Sequence, residues 1–205
     1  MYTPELFRED DPDRLRALVA RYPFAALVSG SAGALEVSHL PFLLERRPDG
    51  QELLLGHMAR ANPHWRSLAG QTATVLFQGP HGYISPSWYE EAQAVPTWNY
   101  AAVHVTGTIR LIEEPDALLQ ILARLVEKAE ARFERPWRLD PNDAWTRALT
   151  AGIVGFEIAI ARIEGKFKLS QNRPVASQRK VVRTLGESPD AMDRELAALM
   201  AEVLG

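Results

Sequence analysis

The sequence predicts a mainly β protein of the α+β class, with an antiparallel sheet closed or nearly closed into a barrel and helices flanking it. Short apolar runs separated by turn residues follow one another from Phe24 to Ile112. The clearest run, AVHVTGTIRLI, alternates apolar and polar residues, which is typical of a strand with one buried face. Strands at such regular spacing, joined by hairpin turns, favour an antiparallel barrel.

Local signals mark where the elements begin and end. Pro48-Asp49-Gly50 predicts a turn between two strands. Asp11 followed by Pro12 predicts a helix start, and apolar residues at helical spacing after Pro115 predict a second helix. The run GIVGFEIAIARI is rich in β-branched residues and predicts the last strand of the barrel.

Chain length and composition predict one globular domain. The chain has 205 residues, of which 46% are hydrophobic and 24% charged, values in the ordinary globular range. We expect a single domain over residues 1–205, with helices at about 174–204 as a C-terminal appendage. The net charge of -3 argues against a protein whose main work is holding DNA phosphates.

The sequence contains no cysteine, which excludes disulfides, thiolate nucleophiles and cysteine-ligated metal sites. The first residues are acidic where a signal peptide would be basic. No apolar run reaches the roughly 18 residues that a membrane helix needs. We therefore expect a cytoplasmic protein that is not bound to membranes.

The segment GHMARANPHWRSL, residues 56–68, is a candidate phosphate site. Asn62-Pro63 has the pattern of a helix start, and the amides exposed there attract anions. Arg60, His64 and Arg66 would add donors. The alternative is a helix start that binds nothing.

Three further segments are candidates for binding. Residues 79–89 and 95–100 carry tryptophans and tyrosines among prolines and glycines, where we predict irregular chain that lines a planar-ligand cleft, a subunit interface or a small core. EGKFKLSQNR, residues 164–173, is either a solvated basic turn or a set of donors that reaches a ligand from a neighbouring subunit. The histidines lack the spacing of a metal site, so we expect no metal.

Five strings occur in order along the chain: SHLPFLLE, GHMARANPHWR, FQGPHGYISPSWY, VPTWNYAAVHVTG and IEGKFKLSQNR. Together they resemble the PaiB family of FMN-binding negative transcriptional regulators. The resemblance implies the split-barrel fold shared with pyridoxamine-phosphate oxidases. It also implies a homodimer with one FMN in each of two clefts at the subunit interface.

The resemblance also implies a set of cofactor-binding residues, carried over by position. Three residues would lie beside the flavin ring: His39, Leu40 and Pro41. Six would surround the ribityl phosphate: His57, Met58, Arg60, Asn62, His64 and Trp65. Three residues would line the cleft: Thr97, Trp98 and Asn99. Two would come from the other subunit: Lys168 and Gln171.

The chain departs from the family pattern between SPSWY and VPTWNY, where it carries EEAQA in place of a longer loop with a lysine. Glu90 and Glu91 would be unfavourable beside a phosphate, so we expect this loop to point away from the cofactor.

Three functions stay open. The first is an FMN-binding oxidoreductase, for which no catalytic residue can be assigned. The second is a negative transcriptional regulator that responds to flavin or acts without it. The third is a split barrel that binds haem or another planar ligand. The short basic run Arg179-Lys180 with Arg183 offers little support for direct DNA binding, so any regulation is expected to be indirect.

Overall fold

The computed structural model describes residues 1–31, 33–89, 91 and 93–204. Its strands, in chain order, are β1 (Arg8–Glu9), β2 (Phe24–Ser31), β3 (Ala34–Pro41), β4 (Leu43–Arg46), β5 (Glu52–Ala59), β6 (Thr72–Ile84), β7 (Thr97–Ile112) and β8 (Ile153–Lys168). Its α-helices are α1 (Pro12–Arg21), α2 (Pro115–Glu130), α3 (Ala144–Leu149), α4 (Val175–Gly186) and α5 (Ala191–Leu204).

The strands form one sheet in the order β3-β2-β6-β7-β8-β5-β4, and β1 pairs with β8. Antiparallel pairing joins β2 to both β3 and β6, and β5 to both β4 and β8. This architecture confirms the predicted antiparallel sheet with flanking helices. The predicted turn at Gly50 is also present, and its φ of 89° is one that glycine adopts easily.

The chain divides into two compact units. The larger comprises residues 19–77 and 104–163, and the smaller comprises residues 1–18, 78–103 and 164–204. Each unit is described by itself below. The prediction of one domain with a C-terminal helical appendage stays a prediction.

In the larger unit, α2 packs on one face of the sheet. Leu118 and Ile121 of this helix form a buried cluster with Leu55 and Ile112. Gly155 makes the approach possible, because a Cβ there would lie 2.6 Å from Leu118 Cδ2. The sequence predicted this helix, but its apolar spacing did not single out Ile121, which is 3% exposed.

The smaller unit corrects the prediction of irregular chain in the aromatic segments. Residues 79–84 continue β6 and residues 97–100 begin β7. The glycines that resembled turn residues instead permit close packing. A Cβ on Gly79 would lie 3.0 Å from Leu18 Cδ1, and one on Gly82 would lie 3.0 Å from Leu196 Cδ2 of α5.

The segment 164–173 is only partly a turn, which corrects the solvated-turn alternative. Its first half continues β8 as far as Lys168, and Lys166 is only 8% exposed. The Lys166 ammonium donates to the carbonyl oxygen of Tyr2 at 3.1 Å. Burial of a lysine is tolerated here because its charge has a polar partner.

The predicted helices at the two ends of the chain are confirmed. α1 begins at Pro12, and α4 and α5 close the chain. The short helix α3 was not predicted; the side chain of Asp143 caps it by accepting from the amide of Thr146 at 2.8 Å. No helix among the described residues is both long and apolar enough to cross a membrane.

Strands β7 and β8 of the larger unit approach each other closely at Gly107. A Cβ at this position would lie 2.1 Å from the carbonyl oxygen of Ala159. We expect Gly107→Ala to destabilise the protein by about 1–3 kcal/mol, because backbone must move to admit the methyl group. Urea unfolding measures the change.

Gly152→Ala is the matched control, since a Cβ on Gly152 would meet nothing within 4 Å. Equal unfolding free energies for the two variants would contradict the close approach of the strands.

Candidate functional site

The turn after β5 carries the residues predicted to hold a phosphate. Asn62 caps a 3-10 helix, Pro63–Ser67, as its Asn-Pro pattern predicts, and its side chain accepts from the amide of His64 at 3.1 Å. Asn62 Nδ2 also donates to Ser38 Oγ at 3.0 Å. The cap therefore ties the turn to β3.

His64 lies beneath this turn and is 2% exposed. Its Nε2 lies 2.9 Å from Ser29 Oγ and its Nδ1 lies 2.9 Å from Ser38 Oγ. Both ring nitrogens are therefore engaged with hydroxyls, one on β2 and one on β3. Since a hydroxyl can donate or accept, a neutral imidazole satisfies both contacts.

Arg60 is held by three acceptors of the larger unit. Nη1 lies 2.7 Å from Glu113 Oε2, while Nε and Nη2 donate to the carbonyls of Ala151 and Ile153, each at 3.1 Å. The carbonyl of Arg60 in turn accepts from Trp65 Nε1 at 2.9 Å. These contacts give Arg60 and Trp65 a role in fixing the turn.

Arg66 differs from Arg60 in its surroundings. It lies on the 3-10 helix, is exposed, and its guanidinium carbon lies 5.7 Å from the ring centre of Trp65. Among the described residues no hydrogen bond or ion pair occupies its donors. Arg66 is therefore the cation of this turn with donors to spare for an anion.

The predicted ring-contacting residues lie on β3, an end strand of the sheet order. His39 and Pro41 are exposed and Leu40 is half-buried. The imidazole of His39 stacks with the ring of Phe24, with centres 6.3 Å apart and planes 25° apart. This strand thus offers a partly apolar surface that includes an exposed imidazole.

His57 and Met58 lie on β5, which pairs with β4 and β8. Met58 is 2% exposed and belongs to the core. His57 is half-buried, and its Nδ1 is a buried polar atom without a hydrogen-bond partner among the described residues. Burial lowers the pKa of His57, so its neutral form is favoured.

In the smaller unit, Thr97 and Trp98 lie next to Lys168. The ammonium donates to Thr97 Oγ1 and to the carbonyl of Trp98, the latter at 2.7 Å. Burial lowers the pKa of Lys168, and the charges of Lys166 and Arg173 act in the same direction. Trp98 itself is 56% exposed and meets Tyr83 edge to face.

Asn99 and Gln171 stabilise the end of β8. Asn99 is fully buried and its Nδ2 donates to Ser170 Oγ at 2.8 Å. Ser170 has a φ of 67°, a left-handed conformation that is uncommon for a residue other than glycine. Gln171 donates to the carbonyl of Phe167 and accepts from the amide of Leu169. The side chains of Asn99, Ser170 and Gln171 therefore stabilise the turn at the end of β8.

The acidic loop is described in part. Glu91 forms an ion pair with Arg173, at 2.8 Å, and the guanidinium of Arg173 lies 4.7 Å from the ring centre of Tyr89. Glu90 lies outside the described residues. The carboxylate of Glu91 is thus neutralised within the smaller unit.

Three comparisons with known proteins bear on this arrangement. Residues 1–162 match a family model described as "Putative FMN-binding domain". The chain is 35% identical over 208 residues to the "Protease synthase and sporulation protein PAI 2" of Bacillus subtilis, covering 100% of this chain and 98% of that relative.

The chain belongs to the PaiB family.

Solved structures share the fold of this PaiB-family chain. The "FAD and Heme binding protein from Mycobacterium smegmatis" matches with a TM-score of 0.60 and 21% identity, over 78% of this chain and 73% of that one. The "Flavocytochrome Anf3 from Azotobacter vinelandii" matches with a TM-score of 0.59 and 17% identity, over 78% and 69%. At such low identities the likeness shows the fold alone, the split barrel.

Family membership confirms the predicted flavin-binding split barrel. The family match spans every predicted site residue except Lys168 and Gln171, which follow residue 162. The roles of individual residues in binding stay predictions.

Sequence reasoning missed the partners that hold the site together. Ser29 and Ser38, which lie within 2.9 Å of the His64 ring, were not proposed as site residues, although Ser38 begins the string SHLPFLLE. Tyr89 and Ser170 lie in segments that were named as candidates, but nothing in the sequence paired either of them with Asn99. A small hydroxyl residue within an otherwise apolar strand was the available signal.

The buried imidazole of His64 predicts a loss of stability at mildly acidic pH. Burial lowers its pKa, and the charge of Glu36 opposes this to a smaller extent. An unfolded histidine titrates near about 6.5, so the unfolded chain binds more protons just below that pH. We expect the free energy of unfolding to have its full value above about pH 6.5. As the pH falls from there toward the lowered pKa, this free energy should decrease by up to about 1.4 kcal/mol per pH unit for each such histidine.

Urea unfolding between about pH 7 and about pH 5 measures this slope. His64→Gln removes one titrating group and should flatten the slope; His57→Gln should do so independently, because burial also lowers the pKa of His57. Slopes unchanged in both variants would contradict the assignment.

Proposed function

We propose that this PaiB-family chain binds FMN as a homodimer and is a flavin-dependent oxidoreductase or a flavin-responsive regulator. The observation that carries the proposal is the family match, which spans both the β3 surface at His39 and the Asn62 turn in one unit. The ring would lie beside residues 39–41 and the phosphate beside the turn. A cytoplasmic location stays a prediction.

The residues of the larger unit fit a flavin. His57 Nδ1 is a buried polar atom that still lacks a hydrogen-bond partner among the described residues. The polar edge of a planar ring would supply a hydrogen-bond partner for this nitrogen.

The phosphate is proposed to pair with Arg66. Arg60 is held by Glu113 and two carbonyls, so its contribution to an anion is through charge and through the shape of the turn. His64 keeps the turn in place through its serine contacts. Arg66 has the unengaged donors that a phosphate takes up.

The protein's share of the chemistry is to bind and orient the cofactor. A bound flavin supplies the electron transfer. His57, kept neutral by its lowered pKa, can donate or accept one hydrogen bond at its free ring nitrogen. No residue is assigned as catalytic. The predicted contacts of the smaller unit remain a separate part of the proposal: Thr97, Trp98, Asn99, Lys168 and Gln171.

The regulatory alternative is proposed to act indirectly. The net charge is -3, and Arg179 and Arg183 are spaced along α4 with the fully buried Val181 between them. A surface with so few cations would bind DNA phosphates weakly. Occupancy or redox state of the flavin is therefore the proposed signal.

We expect purified protein to be yellow, to show flavin absorbance and to release FMN on denaturation. Arg66→Gln should weaken FMN binding about tenfold, as expected for loss of one charged hydrogen bond. Riboflavin, which lacks the phosphate, should bind both forms equally. Fluorescence titration of the apoprotein measures both affinities.

Arg138→Gln, a change to an exposed arginine outside the turn, is the matched control. Protein that neither carries nor takes up flavin would refute the proposed function, and a haem spectrum would favour the planar-ligand alternative. Equal FMN affinity of Arg66→Gln and wild type would refute only the phosphate assignment.

The proposed dimer is supported by the apolar surface of β3. Leu35 is 78% exposed, Val37 55% and Phe24 of neighbouring β2 66%. β3 ends the hydrogen-bonded strand order, and an exposed apolar edge strand is prone to pair with another chain.

We expect sedimentation equilibrium to give a dimer, and Val37→Glu to shift it toward monomer because a carboxylate would be buried at the interface. Val175→Glu, at a similarly exposed valine of α4 (51%) outside the candidate interface segments, is the control. A wild-type monomer at micromolar concentration would contradict the dimer.

A further inference from the structure

We propose that the cavity beneath α2 in the larger unit binds a small organic monocarboxylate with an apolar body. The cavity has a volume of about 220 Å³ and lies between α2 and strands β4, β5, β7 and β8. None of the residues assigned to the flavin lines it. The proposal therefore stands independently of the flavin function.

The floor of the cavity is apolar because of strand register. Glu45 pairs with Leu53 across β4 and β5, and Leu55 pairs with Glu157 across β5 and β8. Residues directly opposite in an antiparallel pair share a face, so all four side chains lie on the face that α2 covers. Leu53 and Leu55 are each 3% exposed and form the base.

The walls continue this apolar surface. Ile112 of β7 and Ile121 of α2 belong to the buried cluster that includes Leu55. Ala117 of α2 also lines the cavity, and its methyl group leaves room where a longer side chain would fill the space. An apolar ligand body would thus be enclosed on several sides.

The rim carries more positive than negative charge. Glu157 is 8% exposed and accepts from Arg47 Nη2 and from Arg110 Nε, each at 2.9 Å. One carboxylate therefore faces two guanidinium groups. The third arginine of the rim, Arg124, forms its own ion pair with Glu45, so one positive charge is left over.

Arg110 presents that charge in a form that suits a carboxylate. Only its Nε is bonded to Glu157; among the described residues, Nη1 and Nη2 have no hydrogen-bond partner. Its side chain is 65% exposed. Two adjacent guanidinium donors match the two oxygens of a carboxylate, and Glu157 holds the guanidinium in place for them.

The volume limits the size of the ligand. The cavity of 220 Å³ has space for about seven water molecules at about 30 Å³ each, and drug-sized ligands occupy about 300–1,000 Å³. The apolar base disfavours an inorganic anion, which would lose hydration without gaining polar partners there. A carboxylate on a single ring or a short aliphatic chain fits both limits.

Benzoate is the probe for this site, and benzamide is its neutral counterpart of similar shape. We expect titration calorimetry at neutral pH to give a dissociation constant for benzoate at or below about 1 mM, and benzamide and inorganic phosphate to bind at least about tenfold more weakly. Arg110→Gln should weaken benzoate about tenfold, and Ala117→Leu should abolish binding by filling the cavity.

Arg138→Gln, an exposed arginine outside the cavity, should leave benzoate binding unchanged. Circular dichroism and FMN affinity of each variant report whether the fold and the flavin site are intact. Benzoate that fails to bind wild type, that binds no better than benzamide or phosphate, or that binds Arg110→Gln as well as wild type would overturn the proposal. Loss of flavin binding with benzoate binding retained would refute the proposed function alone.

Discussion

The hydrogen-bonded imidazole of His64 is the interaction on which the proposed site depends. Its ring nitrogens lie 2.9 Å from the hydroxyls of Ser29 and Ser38, so one side chain joins β2 and β3 to the turn after β5. Because the ring is buried, loss of either hydroxyl would leave a nitrogen without a partner, which costs about 1–3 kcal/mol. The spacing between the β3 surface and the Asn62 turn is therefore set by a neutral histidine.

The same requirement, that buried polar groups find partners, explains two other buried polar side chains, one in each unit. Asn99 binds Ser170 at the end of β8. Glu157 would be an unfavourable buried carboxylate without Arg47 and Arg110, and these arginines lower its pKa although burial acts to raise it. Structural partners thus explain several residues whose chemistry alone invites a ligand-binding interpretation, and Arg60 is the clearest example.

Much of the fold was predictable because it follows from local chemistry. Proline and aspartate mark the start of α1, Asn62 caps its short helix as predicted, and alternation identified the second half of β7. The prediction of irregular chain in the aromatic segments was wrong because glycine occurs both in turns and at close contacts, and the sequence does not distinguish the two. Gly79 and Gly82 admit Leu18 and Leu196, contacts with residues distant in the chain.

By itself the sequence determined the antiparallel α+β class and the family, because alternation, caps and rare-residue strings are local properties of the chain; the segments it assigned to the site stay predictions. Only the tertiary structure decided which cations are engaged and which have donors to spare. Arg60 and Arg66 are six residues apart and look alike in the sequence, yet Glu113 and two carbonyls hold the first. Its partners lie more than fifty residues away along the chain, so only folding brings them to it.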